Sequence, residues 1–301
     1  MKQRDDSSLS PDQYRNVRRE AEQILHKASA IGRFPTPLGD IMDAAKVIVA
    51  PEDIFDENFL QKMRRKAGDT LKRALSKVIG LFDSKSRVIF IDGSVHKNKL
   101  PFLKIHETGH GVLPWQQSIY TIIEDCKKSL SPEISDLFDR EANVFASEVL
   151  FQLDKFKEEA AQHKLALRIP LRLSKKYGTS IYATIRRYVS EHHRTCAVLV
   201  LNPPEIIQEI GFRAELRRVV VSPTFQNIFG DLNWPGFFTP NDPLGLAVPL
   251  GRARMSSPRK IILKDRNGDR WECIVEGFTQ TYQVFILIHA VKSLVATTVH
   301  V

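Results

Sequence analysis

The residues best suited to chemistry lie in one short stretch, His106-Glu107-Thr108-Gly109-His110, which has the pattern H-E-x-x-H. Two histidines four positions apart on a helix share one face, so both imidazoles can bind one metal ion. Glu107 beside them can serve as the general base that takes a proton from a metal-activated water, as in zinc peptidases. The alternative is that both histidines are ordinary helix residues, one half-buried and one solvated.

Gly109 stands inside the predicted helix that would carry these side chains. A glycine there costs on the order of 1 kcal/mol relative to alanine, so its presence needs a reason. Gly111 and Pro114 then end the helix soon after the second histidine. The glycine therefore predicts that another element passes close to the metal-binding face.

A second helix is predicted from residue 139 to residue 150, and it offers acidic side chains. Its apolar residues recur at helical spacing, and Glu141 and Asp139 flank the two edges of that apolar face. An ionised carboxylate at such an edge needs a partner, and a divalent cation would serve. Read alone, Glu141 could equally be a solvated edge residue, and the choice between the two acidic residues stays open.

The two segments together resemble the ImmA/IrrE family of metallo-endopeptidases, which has H-E-x-x-H followed by a glutamate in an E-A-N/D-x-F-A helix. Here H-E-T-G-H is followed about thirty residues later by E-A-N-V-F-A-S-E-V-L. Carried over by this resemblance, His106, His110 and Glu141 are metal ligands and Glu107 is the catalytic carboxylate. Zinc is the expected metal for such ligands, with manganese as an alternative.

The resemblance also implies a fold and a substrate. The expected fold class is α+β, with a helical zincin-like metallopeptidase domain and a small antiparallel sheet. The expected substrate is a helix-turn-helix transcriptional repressor, whose cleavage would release transcription in a stress response. Tyr120, between the two motifs, is a candidate oxyanion donor, although its ring could simply pack. A rival hypothesis is a DNA-binding transcriptional regulator whose peptidase-like domain is not catalytic.

Composition limits the class of protein. The chain has 301 residues, 43% of them hydrophobic, and its 44 Lys and Arg exceed its 35 Asp and Glu to give a net charge of +9. This excess favours an anionic partner without naming one. Three distant cysteines indicate neither a disulfide framework nor a cysteine zinc site. With no signal-peptide pattern and no apolar run long enough to span a membrane, a cytoplasmic protein is expected.

Before the histidines, the pattern predicts a disordered segment at residues 1–9 and then a metallopeptidase-like domain at residues 10–165. Ser10-Pro11-Asp12-Gln13 has the N-cap, N1 proline and N3 glutamine of a capping box. A β-hairpin beside the histidine helix could accept a substrate backbone as an added strand. The predicted elements are helices at 11–30, from 36 and at 59–75, a strand at 47–49 and hairpin strands at 78–82 and 88–92.

Two further regions follow the peptidase-like domain. Residues 166–194 have the pattern of a helix-turn-helix, with seven basic residues against one acidic residue between Arg168 and Arg194. They could contact DNA phosphates or pack on the peptidase core. Residues 195–301 are expected to form a mainly β or α/β domain for sensing or substrate docking. Its strands are predicted at 196–201, 217–222, 261–264, 270–276 and 282–290, with 225–249 a long loop.

Overall fold

The computed structural model describes residues 8–50, 80–84, 86–91, 95, 97–126 and 130–294. Helices and strands both contribute, so the fold is α+β as predicted. The chain divides into two compact units. The helical unit comprises Arg4–Phe156 with Lys175–Ser180, and the sheet unit contains Lys157–Ser174 and Ile181–Val301.

The helical unit contains most of the helices and a small sheet. Its described elements are α1 (Pro11–Lys27), α2 (Leu38–Ala45), β1 (Ile48–Val49), β2 (Gly80–Asp83), β3 (Val88–Ile91), α3 (Leu100–Val112), α4 (Pro114–Cys126) and α5 (Pro132–Leu150). A single-turn 3-10 helix at Lys97–Lys99 leads directly into α3. The predicted helix at residues 59–75 lies outside the described residues.

The start of α1 confirms the capping box. The Ser10 hydroxyl accepts a hydrogen bond from the Gln13 backbone N–H, and the Gln13 side chain accepts one from the Ser10 backbone N–H. These bonds satisfy backbone donors that no helical carbonyl can reach. One face of α1 then packs in a core shared with α2, α3 and α5, whose buried members include Val17, Ala21, Ile41, Ile105, Phe145 and Val149.

A buried carboxylate ties α1 to α5. Glu148 is 1% exposed and accepts hydrogen bonds from the Tyr14 hydroxyl at 2.8 Å and from Arg18 Nη1 at 3.0 Å. Arg18 also pairs with the exposed carboxylate of Asp154. A buried charge is tolerated only when it is paired in this way.

Replacing Glu148 with alanine should lower the free energy of unfolding by about 1–3 kcal/mol, because Tyr14 and Arg18 then lose a buried acceptor. Urea denaturation followed by circular dichroism measures this change. Asp154→Ala is the matched control, since it removes the exposed carboxylate from the same arginine and should change stability little. Equal effects of the two substitutions would contradict the assignment.

The small sheet has the strand order β1-β3-β2. Strands β2 and β3 form the predicted antiparallel hairpin, in which Phe82 pairs with Ile89. Strand β1 pairs with β3 in parallel, through Ile48 with Val88, so the sheet is mixed, and the prediction of a small antiparallel sheet was wrong for this pair of strands. A parallel pairing requires a long connection, and the residues between Ala50 and Gly80 are numerous enough to provide it.

The sheet unit is mainly β, as predicted, and is built on a seven-stranded antiparallel sheet. The sheet has the order β5-β6-β4-β10-β9-β8, with β7 paired to β6. All six residues of β4 are buried, which explains the uninterrupted apolar run in its sequence. The strands are β4 (Cys196–Leu201), β5 (Glu205–Ile207), β6 (Gly211–Val221), β7 (Phe237–Phe238), β8 (Arg259–Lys264), β9 (Arg270–Thr279) and β10 (Val284–Ser293).

The prediction of a long loop at residues 225–249 was wrong in part. A helix spans Pro223–Phe229, and the region also contains β7 and a 3-10 helix at Gly245–Ala247. Ser222 caps the Pro223–Phe229 helix by accepting the Phe225 N–H, and Phe225 and Phe229 are buried one turn apart. In the sequence, a serine before a proline at N1 indicates the start of a helix, and two phenylalanines four positions apart indicate its buried face.

Three helices lie between α5 and β4 in the sequence. They are α6 (Lys155–Ala161), α7 (Arg168–Tyr177) and α8 (Ile181–Ser190), and the last two confirm the pair predicted for residues 166–194. Gly178 forms the turn with a φ of +64°, and a Cβ there would lie 2.8 Å from Pro35 Cβ. Among the described residues, no helix combines the length and apolar character needed to cross a bilayer.

Candidate metal centre

The site is built where α3 passes close to α5. A Cβ on Gly109 would lie 3.0 Å from Phe145 Cδ1 and 3.5 Å from the Ala142 Cα. A larger residue at this position would therefore require the Phe145 side chain to shift. The glycine inside the motif is explained by this close approach, as the sequence predicted, and it brings side chains of α5 towards the two histidines.

The Nε2 atoms of His106 and His110 lie 3.3 Å apart, and the planes of the two rings are nearly perpendicular, at 82°. Their other ring nitrogens are held by side-chain amides. His106 Nδ1 lies 3.0 Å from Asn143 Oδ1, and His110 Nδ1 lies 2.7 Å from Gln116 Oε1. Because an amide oxygen can only accept, each Nδ1 carries the proton that it donates.

Both rings are held in the neutral form. Burial lowers the pKa of His106 to about 3, with a further contribution from His110, and burial likewise lowers the pKa of His110. A neutral ring protonated at Nδ1 has a lone pair on Nε2. Two Nε2 atoms that both carry lone pairs and lie 3.3 Å apart repel each other, and a cation bound to both would remove that repulsion.

Asp139 completes a group of three. The ligand atoms of His106, His110 and Asp139 all lie within 4.8 Å of one another, and Asp139 Oδ1 lies 3.8 Å from His110 Nε2. Burial raises the pKa of Asp139 to about 6, with a smaller effect of Asp136. The side chain nevertheless remains 62% exposed, which leaves the site open to solvent on this side. These three residues could hold a metal ion.

The separation of the two nitrogens fits a tetrahedral zinc site. Nitrogens that each lie about 2.0–2.1 Å from one tetrahedral zinc ion are about 3.3–3.4 Å apart. The two Nε2 atoms are 3.3 Å apart. The donor set of two imidazoles and one carboxylate is also one that zinc accepts in open sites.

Glu141, which the family resemblance implied as the third ligand, is not in this group, whereas Asp139, the other acidic residue that the sequence left open, is. It is 3% exposed, and its Oε2 accepts hydrogen bonds from Trp115 Nε1 and Gln116 Nε2, each at 2.7 Å. Residues two apart on a helix point to different sides, so Asp139 and Glu141 cannot both face the histidines. Sequence reasoning missed Gln116 altogether, because no spacing rule connects it to the motif.

Glu107 and Tyr120 border the group. Glu107 is 6% exposed, and burial raises the pKa of its carboxyl to about 8, with a further contribution from Asp139. The Tyr120 ring lies 6.3 Å from the His110 ring, and burial raises the pKa of its hydroxyl. Both side chains therefore lie at the candidate metal centre, and the oxyanion role of Tyr120 stays a prediction.

No model of a known protein family matches the chain, and no curated protein matches it. Among solved structures, the chain is similar to a Mycobacterium tuberculosis transcriptional regulator, with a TM-score of 0.50 and 12% sequence identity. The match covers 93% of this chain and 79% of that one. At this identity the likeness concerns the fold alone.

Proposed function

We propose that the protein is a metal-dependent endopeptidase that resembles the ImmA/IrrE family and has a zincin-like helical domain. The observation that carries this proposal is the pair of imidazole Nε2 atoms 3.3 Å apart, with the Asp139 carboxylate within 4.8 Å of both and Glu107 on the same helix as the histidines. An open metal site with a neighbouring carboxylate is the arrangement that zinc peptidases use.

In this mechanism His106, His110 and Asp139 would hold the metal. A bound zinc ion would polarise the substrate carbonyl and lower the pKa of a water molecule towards about 7. The positive charge of a bound metal would favour the ionised form of the neighbouring Glu107. Glu107 would then accept the proton of the attacking water at a carboxylate oxygen and pass it to the nitrogen of the leaving amine. Tyr120, whose ring lies 6.3 Å from the His110 ring, would donate its hydroxyl hydrogen to the developing oxyanion.

The neighbouring hairpin suits an extended peptide substrate. Strand β2 is at the edge of the three described strands, and a Cβ on Gly111 would lie 2.7 Å from Phe82 Cζ, so β2 packs against α3. A substrate segment that pairs with an edge strand gains main-chain hydrogen bonds and is held at a fixed distance from the site. We propose a helix-turn-helix repressor as this substrate, a regulatory role in keeping with the likeness to a transcriptional regulator.

The test combines metal binding with cleavage. The purified protein should bind one equivalent of zinc in a chelator competition assay and should cleave a repressor encoded near its own gene. Removal of the metal should stop cleavage, and its return should restore it. A protein that binds no zinc and cleaves none of the neighbouring repressors with zinc or manganese would contradict the proposal.

DNA binding without catalysis is the second candidate function. Arg168, Arg172, Lys175 and Lys176 of α7 are exposed, and exposed cations attract phosphates. Arg187 of α8 is different, because it is 5% exposed and pairs with Glu191 at 3.1 Å. Binding to promoter DNA that weakens steeply with salt, needs no metal and occurs without proteolysis would favour this candidate over the first.

A further inference from the structure

A continuous chain of hydrogen bonds runs from Glu141 through Gln116 to His110. The proposed mechanism gives no role to Gln116 or Glu141. Gln116 is fully buried, and its Nε2 donates to Glu141 Oε2 at 2.7 Å and to the Phe138 carbonyl at 3.2 Å. Its Oε1 accepts from His110 Nδ1 at 2.7 Å. Trp115 Nε1 donates to the same glutamate oxygen.

The direction of every bond in this chain is fixed by chemistry. A carboxylate and a backbone carbonyl can only accept, so the amide nitrogen of Gln116 must face them. Its oxygen must then face His110. That oxygen can only accept, so the His110 proton lies on Nδ1 and the lone pair on Nε2.

We propose that Gln116 and Glu141 are positioning residues that fix His110 as a metal ligand through its Nε2 atom, and that Glu141 itself binds no metal. This inference rests on the proposed function and adds roles for two residues that do not themselves bind the metal. Outer partners of this kind raise the affinity of a metal site because they orient the ring and select its tautomer before the ion arrives. Glu141 acts through Gln116, and its own oxygen is occupied by two neutral donors.

The first test replaces Gln116 with methionine, which has a similar length and no hydrogen-bonding amide. Zinc affinity should fall about 10–100-fold, the effect usual for loss of an outer partner. In the zinc-free protein, nitrogen NMR of the His110 ring should show the Nδ1–H tautomer in the wild type and a mixture of tautomers in the variant. A wild-type ring protonated at Nε2 would overturn the inference, whether or not the protein is a peptidase.

The second test uses Glu141→Gln, which also covers the case in which Gln116→Met fails to fold. The amide oxygen of a glutamine at position 141 can still accept hydrogen bonds from Trp115 and Gln116. The zinc affinity of Glu141→Gln should therefore stay within about tenfold of the wild type. Glu141→Leu removes the acceptor and should lower affinity as Gln116→Met does. A glutamine variant that loses zinc as completely as a variant lacking His110 would show that Glu141 is a ligand, and this outcome contradicts the inference.

Discussion

Replacing Glu107 with glutamine should lower the rate of peptide cleavage by about 10²–10⁴-fold or more while zinc stays bound, because an amide cannot accept the proton of the attacking water. Glutamine has nearly the same shape as glutamate, so the neighbouring histidines should keep their positions. The measurement is kcat/KM on the cleaved repressor, with the zinc content of the same sample determined in parallel.

The melting temperature of the Glu107→Gln variant distinguishes loss of the catalytic base from loss of the folded structure. Glu107 is 6% exposed, and burial disfavours its ionised form, so a neutral amide at this position should not lower the melting temperature. Glu133→Gln is the matched control, because that glutamate is exposed in the first turn of α5 and should be replaceable without loss of activity. Unchanged cleavage by Glu107→Gln would falsify the proposed mechanism.

Replacing Asp139 with alanine should lower zinc affinity by more than about 100-fold, a larger loss than removal of an outer partner causes. The carboxylate supplies the oxygen of the three-residue group, and two imidazoles alone form an incomplete site. Competition with a chromogenic chelator measures the change. Cleavage should fall with the metal content and recover in part at high zinc concentration.

Asp136→Ala is the control for this variant. Asp136 lies about one turn earlier on α5, is exposed, and pairs with Arg140 at 3.2 Å, so its removal leaves the ligand atoms untouched. Its zinc affinity should not fall below that of the wild type, because removal of Asp136 only eases ionisation of Asp139. If Asp139→Ala also keeps full affinity, the third ligand has been assigned to the wrong side of α5.

Local rules predicted much of the secondary structure. The capping box at Ser10, the hairpin before α3 and the buried strand at Cys196 all depend on residues close together in the chain, and each is present. The parallel pairing of β1 with β3 was not predicted, since it joins strands about forty residues apart. Strand β5 was also not predicted, because it has only three residues, is largely exposed and therefore lacks an alternating apolar pattern.

The sequence by itself determined the half of the site that lies on one helix. The i, i+4 spacing of His106 and His110 places both rings on one face, and Gly109 marks the side on which another helix approaches. Only the tertiary structure decided which carboxylate of α5 joins them. That choice depends on the rotation of α5 about its own axis, which is set when residues such as Phe145 enter the core. The same packing brings Gln116 to His110, a contact between side chains of two successive helices that no residue spacing specifies.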